Sequence, residues 1–303
     1  MALRRDVGIG ALKGRTALRR NIIVASVFLC LVVLAVLWSI GRQTDRSPQL
    51  LAAQVSEIHR PRPSDEIACA DFWRNGPPLV ILALGQSNAG NHGGVPGSSP
   101  RGALWFEARC YPLADPLAGA TGTDGSIWSR LAAAIAPRLG SRELVVAVLA
   151  VDTTRVSEWT GEGPLTDRLE RLMESLRENH VTVSAVLWQQ GEADARAGTG
   201  ADDYAAALGA LIERLRRGGI SAPLLLARST RCRNTGSDEI RKGVSLAASR
   251  NANVILGPDT DALGDALRSD GCHFNEEGLA RAADAWVEAL SQRGFVPRPL
   301  PPS

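Results

Sequence analysis

From residue 79 onward the chain moves between two hydrophobic rhythms. Short unbroken apolar runs, of which Leu79-Val80-Ile81-Leu82-Ala83-Leu84 is the clearest, have the pattern of strands covered on both faces of a parallel sheet. Between them apolar residues recur every three or four positions, the spacing of helices with one face in a core. Strands are expected near 79–84, 143–150, 181–188, 223–228 and 253–256. One helix is marked by Ile127, Trp128, Leu131, Ile135 and Leu139. A second is marked by Leu165, Leu169, Leu172 and Leu176, opened by Pro164. A third carries Tyr204, Leu208, Leu211, Ile212 and Leu215 and stops at Gly218-Gly219. The others lie over 238–250 and around Leu279, Ala283, Trp286, Val287 and Leu290. The glycine-rich stretch between the first strand and residue 125 is expected as a long loop. Strands alternating with helices predict a three-layer α/β/α, flavodoxin-like domain with about five parallel strands.

The N-terminal part follows neither rhythm. Ile22 to Ile40 is 19 residues without a charge, with only Ser26 and Ser39 as hydroxyls. That is close to the roughly 20 apolar residues a helix needs to cross a bilayer. Basic residues precede it, which predicts a cytoplasmic N-terminus and an extracytoplasmic body. A cleaved signal peptide is the rival reading, but Ser39-Ile40-Gly41-Arg42 is a poor cut site, so an uncleaved anchor is preferred. The expected organisation is a basic tip at 1–21, a transmembrane anchor at 22–40, a linker at 41–65, a folded domain at 66–296 and a proline-rich tail at 297–303. Pro48, Pro61 and Pro63 mark the linker, which has a short helix around 50–58.

Composition adds little beyond an ordinary globular body: 45% of residues are hydrophobic and 22% charged. The net charge of +2 hides an asymmetry, because residues 1–20 hold six basic side chains against Asp6. The remainder is slightly acidic, which excludes an electrostatic case for nucleic acid. Cys30 lies in the apolar segment. Cys69, Cys110, Cys232 and Cys272 are an even set in a part expected to meet an oxidising compartment. Four cysteines allow three pairings, and buried free thiols are the alternative. The pairing expected here is Cys69–Cys110, clipping the first strand's approach, with Cys232–Cys272, joining two loops near the sheet's end.

The candidate chemistry sits where strands end. Ser87 in Gly85-Gln86-Ser87-Asn88 follows the first strand directly, at the edge where open α/β sheets bind ligands. A serine there is a nucleophile if a base reaches it, and otherwise an ordinary turn serine. Of four histidines, His59 lies in the linker and His180 at the opposite edge of the sheet. His92 is close enough to line a pocket. His273, in Asp270-Gly271-Cys272-His273, lies on the same edge as Ser87. A carboxylate three residues before a histidine can turn onto one ring nitrogen and leave the other facing outward. Trp188-Gln189-Gln190-Gly191-Glu192-Ala193-Asp194 follows the third strand. A side-chain amide there can serve an oxyanion, and its acids can hold the loop or meet a polar substrate. Gly125, before a helix start, offers a backbone N–H. Trp105, Trp159 and Trp188 are candidates for stacking on sugar rings.

Taken together, Gly85-Gln86-Ser87-Asn88, Trp188 with Gln190-Gly191-Glu192 and Asp194, and Asp270-x-x-His273 resemble the motifs of the sialate O-acetylesterase-like carbohydrate esterases of the SGNH hydrolase superfamily. Gly125-Ser126-x-Trp128 and Asp152-Thr153-Thr154 before Trp159 also resemble segments of that family. The resemblance implies Ser87 as nucleophile, His273 as base and Asp270 as its orienting acid. It implies an oxyanion hole from Ser87, Gly125 and Gln190. Gln86, Asn88 and Glu192 are expected to contact substrate. Relatives more often have asparagine where Gln190 stands, and Gly-Gly-Thr where this chain reads Asp152-Thr153-Thr154. An α/β-hydrolase is disfavoured because its nucleophile turn reads Gly-x-Ser-x-Gly and position 89 is alanine. The expected activity is removal of acyl groups, notably acetyl, from carbohydrate hydroxyls, without metal or other cofactor. Acyl transfer by the same triad and a non-catalytic glycan-binding module are the alternatives.

Overall fold

The computed structural model of the protein describes residues 47–233 and 235–297. The expected basic tip, the apolar segment at 22–40 with Cys30, and the tail beyond Pro297 lie outside the described residues. Among the described residues no helix is long and apolar enough to cross a membrane.

Seven strands form one sheet in the order β3-β2-β4-β1-β5-β6-β7. They are β1 Leu79–Gly85, β2 Ser98–Phe106, β3 Arg109–Ala114, β4 Leu144–Ala150, β5 Ala185–Gln189, β6 Leu224–Arg228 and β7 Val254–Asp259. All run parallel except β3, which pairs antiparallel with β2 at one edge. The helices are α1 Pro48–Ser56, α2 Ile127–Ile135, α3 Pro164–Glu178, α4 Glu192–Ala197, α5 Ala201–Arg217, α6 Asp238–Arg250 and α7 Glu276–Gln292.

Strand β1 is central and wholly buried, which is why its sequence has no polar alternation. Its side chains still alternate between faces. Val80, Leu82 and Leu84 enter one core with Leu165, Leu169 and Leu176 of α3, Leu208 and Leu211 of α5 and Val244 of α6. Leu79, Ile81 and Ala83 enter the other with Trp128 and Leu131 of α2 and Leu279, Trp286 and Leu290 of α7. Two cores, one on each face, hold the three layers, each fully buried leucine contributing about 1.5–3 kcal/mol.

Three elements depart from expectation. The supposed loop between β1 and residue 125 contains the β2–β3 hairpin, so the sheet has seven strands rather than about five. Its two-residue turn, Glu107-Ala108, has φ of 48° and 64°. Glycine or asparagine normally announces such a turn, and neither is present. Strand β5 starts at Ala185 instead of 181, because Ser184 turns its hydroxyl to accept the Val80 N–H at 3.1 Å. The short helix α4 follows β5 directly.

The helix expected in the linker is α1, and it packs on the domain. Leu51 and Ile58 are buried in the core, and the His59 N–H donates to Ala120 O at 2.8 Å. The compact unit therefore includes residues from Ser47 on, ahead of the expected start near Glu66. Both disulfides have the expected pairing, Cys69–Cys110 and Cys232–Cys272.

Candidate active site

The strand register brings the candidate loops to one edge. Gly85, the last residue of β1, pairs with Ala150 of β4 on one side and Gln189 of β5 on the other. A Cβ at Gly85 would lie 2.1 Å from the Gln189 carbonyl oxygen, so only glycine lets the chain turn here. Ser87 then opens a single 3₁₀ turn, Ser87–Ala89. The N–H groups of Ala89 and Gly90 bond back to the Gln86 and Ser87 carbonyls at 2.8 Å each. The turn is braced from behind by the Trp128 indole N–H, which donates to Ala89 O at 2.7 Å. Asn91, which the sequence reading passed over, clamps the 117–120 segment beside it. Its Nδ2 donates to Leu117 O at 3.0 Å and its Oδ1 accepts the Leu117 N–H at 2.7 Å.

His273 arrives on the loop between β7 and α7. Asp270 Oδ1 accepts the N–H groups of Cys272 and His273 at 2.9 and 2.8 Å, and Oδ2 meets His273 Nδ1 at 2.9 Å. Partial burial pushes this carboxyl up. The two backbone N–H groups and the imidazole outweigh it and hold it at about 2. Asp270 is therefore ionised at neutral pH. It occupies Nδ1 and leaves Nε2 for another partner.

A buried polar network ties this loop to the nucleophile turn. Asn88 Nδ2 donates to Glu192 Oε1 at 2.7 Å and to Cys272 O at 3.2 Å. Thus the residue after Ser87 binds the residue before His273. Glu192 Oε1 also accepts the Ser229 hydroxyl at 2.8 Å. Arg268, 5% exposed, donates to the Cys272 and Thr260 carbonyls. Burial raises the Glu192 carboxyl, while the bonds from Asn88 and Ser229 and the charge of Arg268 oppose the rise. The disulfide Cys232–Cys272 anchors the same loop to the segment after β6.

Several expected roles need correction. Gln190 cannot serve an oxyanion: its Nε2 donates to Thr154 O at 2.9 Å and Asp194 Oδ2 at 2.6 Å, and its Oε1 accepts the Tyr204 hydroxyl at 2.8 Å. Gly125 cannot either, because its N–H already bonds to Gly94 O at 2.8 Å. Gln86, Asn88 and Glu192, expected to contact substrate, are each bonded into the scaffold through at least one side-chain atom. Gln86 Oε1 accepts the Ala193 N–H at 3.1 Å, and the other two are bonded as above. Trp105, Trp159 and Trp188 are core residues, buried beyond reach of a sugar. Trp159 and Trp188 pack edge to face with centroids 5.2 Å apart. His180 lies just past the end of α3, ahead of the amino end of β5 and away from the site, as expected. Asn91, Arg268 and Ser229 had no readable signal, because their roles depend on which loop lies opposite. Among the described residues no group of three or more His, Cys, Asp or Glu side chains is placed to hold a metal ion.

What the arrangement can do is acyl chemistry: a hydroxyl at a tight strand-end turn, an imidazole oriented by an ionised acid, and a buried network joining their loops. Comparison with known proteins bears on it. A family model described as carbohydrate esterase, sialic acid-specific acetylesterase, matches residues 126–292, more than half of the chain and downstream of Ser87. No curated protein sequence matches. Among solved structures, a protein of Arabidopsis thaliana is similar with TM-score 0.59 and 24% identity, over 72% of this chain and 100% of that one. It has the same fold. NanS is similar with TM-score 0.49 and 17% identity, over 72% and 97% of the two chains. A family 3 carbohydrate esterase of Talaromyces cellulolyticus is similar with TM-score 0.45 and 12% identity, over 71% and 97%.

Proposed function

The chain belongs to the carbohydrate esterase family of sialic acid-specific acetylesterases, which are carboxylic ester hydrolases, and from that premise we propose that it removes acetyl groups from carbohydrate hydroxyls by way of Ser87, His273 and Asp270. The observation that carries this reading is the 2.9 Å contact of Asp270 with His273 Nδ1, on a loop hydrogen-bonded to the residue beside Ser87.

Ser87 Oγ attacks the ester carbonyl carbon while His273 Nε2 takes the hydroxyl proton. Negative charge collects on the carbonyl oxygen. The Ser87 N–H, which has no acceptor among the described residues, is one donor for it. The Gly122 N–H, on the backbone beside Asn91 and His92, is the second candidate. As the tetrahedral species collapses, the imidazolium returns its proton to the sugar oxygen and the ester bond to the sugar breaks. Water, deprotonated by the same imidazole, then attacks the acyl-serine and releases acetate and free Ser87. Asp270 stabilises the imidazolium at both steps.

The domain is read as working outside the cytoplasm, behind an N-terminal anchor at 22–40. The two disulfides support an oxidising surrounding. Full-length protein assayed with p-nitrophenyl acetate and with acetylated carbohydrates tests the reading. Ser87→Ala and His273→Ala are each expected to lower kcat by about a thousandfold or more. Wild-type rates in Ser87→Ala would overturn it.

A further inference from the structure

The catalytic reading leaves unused a histidine that stands beside the proposed base. His92 lies against His273, with ring centroids 5.5 Å apart and planes inclined by 25°. Its ring is held in a slot made by two glycines: a Cβ would come within 3.2 Å of His92 Cδ2 at Gly90, and within 2.9 Å at Gly122. Its Nε2 meets Thr121 Oγ1 at 3.0 Å. That oxygen also accepts the Asp152 N–H at 3.0 Å, so the Thr121 side chain is held from two directions. The Thr121 backbone is pinned on both sides, its N–H to Ala150 O and its carbonyl by the Asn91 N–H, each at 2.9 Å. His92 thus belongs to the rigid edge of the sheet, whereas His273 sits on a loop and its ring is gripped by Asp270 at one ring nitrogen only.

We propose that His92 is the positioning residue for the general base: a fixed, uncharged ring that supports the face of His273 and holds its Nε2 toward Ser87. A single hydrogen bond at Nδ1 fixes the ring's tautomer but leaves it free to tilt about that bond. A flat partner on the ring face removes the tilt. The partner must be neutral, because His273 becomes cationic each time it takes the serine proton, and a second cation at this distance would oppose that step. Burial lowers the affinity of His92 for a proton, and the His273 charge lowers it further. Asp152, Asp124 and Glu57 are the acids that face it and act the other way. Asp270 lies across the stack, committed to His273.

The inference rests on the esterase reading, so its test carries an arm independent of turnover. The chain has four histidines, and the Cε1–H signal of His273 can be identified in the full-length protein by its loss in His273→Gln. Its chemical shift at neutral pH is followed by NMR alongside kcat and KM for p-nitrophenyl acetate. His92→Ala is expected to lower kcat by about ten- to a hundredfold with KM near the wild-type value, the size of effect that follows from a slightly misplaced catalytic group. His92→Phe, which keeps a flat uncharged ring, is expected to stay within about threefold of wild type and so controls for folding. Loss of the neighbouring ring in His92→Ala is expected to shift the His273 signal, and His92→Phe to keep it nearer its wild-type position. Wild-type kcat in His92→Ala, or an unmoved His273 signal in that variant, would overturn the proposal. If the wild type fails to hydrolyse esters while the signal still moves in His92→Ala, the stack stands and the esterase reading falls.

Discussion

Asp270 takes two backbone N–H groups on one oxygen and the imidazole on the other, so it both shapes the histidine loop and aims the ring. Its carboxyl is held at about 2, below the ordinary value near 3.9. A depressed acid stabilises the fold above its unfolded value, and that contribution is lost as pH falls through the folded value. The difference in melting temperature between wild type and Asp270→Asn should therefore be constant from neutrality to about pH 4 and shrink toward pH 2. The same variant should lose roughly 10³–10⁴ in kcat, since an amide presents the wrong partner to Nδ1. A difference that persists unchanged to pH 2 would contradict the assignment. Glu192 has the opposite sign: burial raises it, so its ionisation works against folding as pH climbs past the usual carboxyl range. At this scale the strand-end position of Ser87 and the pairing of Asp270 with His273 were legible, because a serine after a buried apolar run and a carboxylate three residues before a histidine are readable patterns. Gln190 and Gly125 misled, because sequence places a residue on an edge without saying which way its N–H points. Gln190 turns to Thr154 and Asp194, and Gly125 to Gly94.

Among the elements, the helices and the buried strands were legible because their apolar periods are strong and their ends carry proline, serine or glycine. The β2–β3 hairpin was not. Gly102, Pro100 and Pro112 interrupt its pattern, and its turn uses Glu107 and Ala108 in the left-handed region at a cost of about 1–2 kcal/mol per residue. Ala108→Gly should relieve part of that and raise stability by about 0.5–1 kcal/mol in denaturant unfolding, with kcat unchanged. Destabilisation would mean the turn is not strained. The two disulfides differ in what they hold. They close loops of 41 and 40 residues, so each is expected to contribute about 4 kcal/mol by restricting the unfolded chain. Only Cys232–Cys272 touches the site, where Arg233 N–H also bonds to Gly271 O at 2.6 Å. Replacing Cys232 and Cys272 by serine should lower both stability and kcat. Replacing Cys69 and Cys110 should lower stability alone, as read by thermal melts and initial rates.

Over the whole molecule, the alternation of strands and helices foretold the layered α/β architecture and the sheet edge on which the candidate loops meet. The sheet's parallel core delivers Ser87 from β1, Asp152 from β4 and Glu192 from β5 to that edge, and the loop before α7 adds His273. The network Asn88–Glu192–Ser229, with Arg268 on the Cys272 carbonyl, then fixes how far apart these loops sit. The account depends on Ser87 being activated by His273. The most direct measurement is covalent labelling of full-length protein with diethyl p-nitrophenyl phosphate, followed by peptide mass spectrometry. A serine made nucleophilic by an adjacent base forms the phosphoryl-serine with loss of p-nitrophenolate. The account predicts a single adduct on the peptide carrying Ser87, absent in Ser87→Ala and strongly reduced in His273→Ala. Labelling of another residue with Ser87 untouched, or unchanged labelling of Ser87 in His273→Ala, would contradict it.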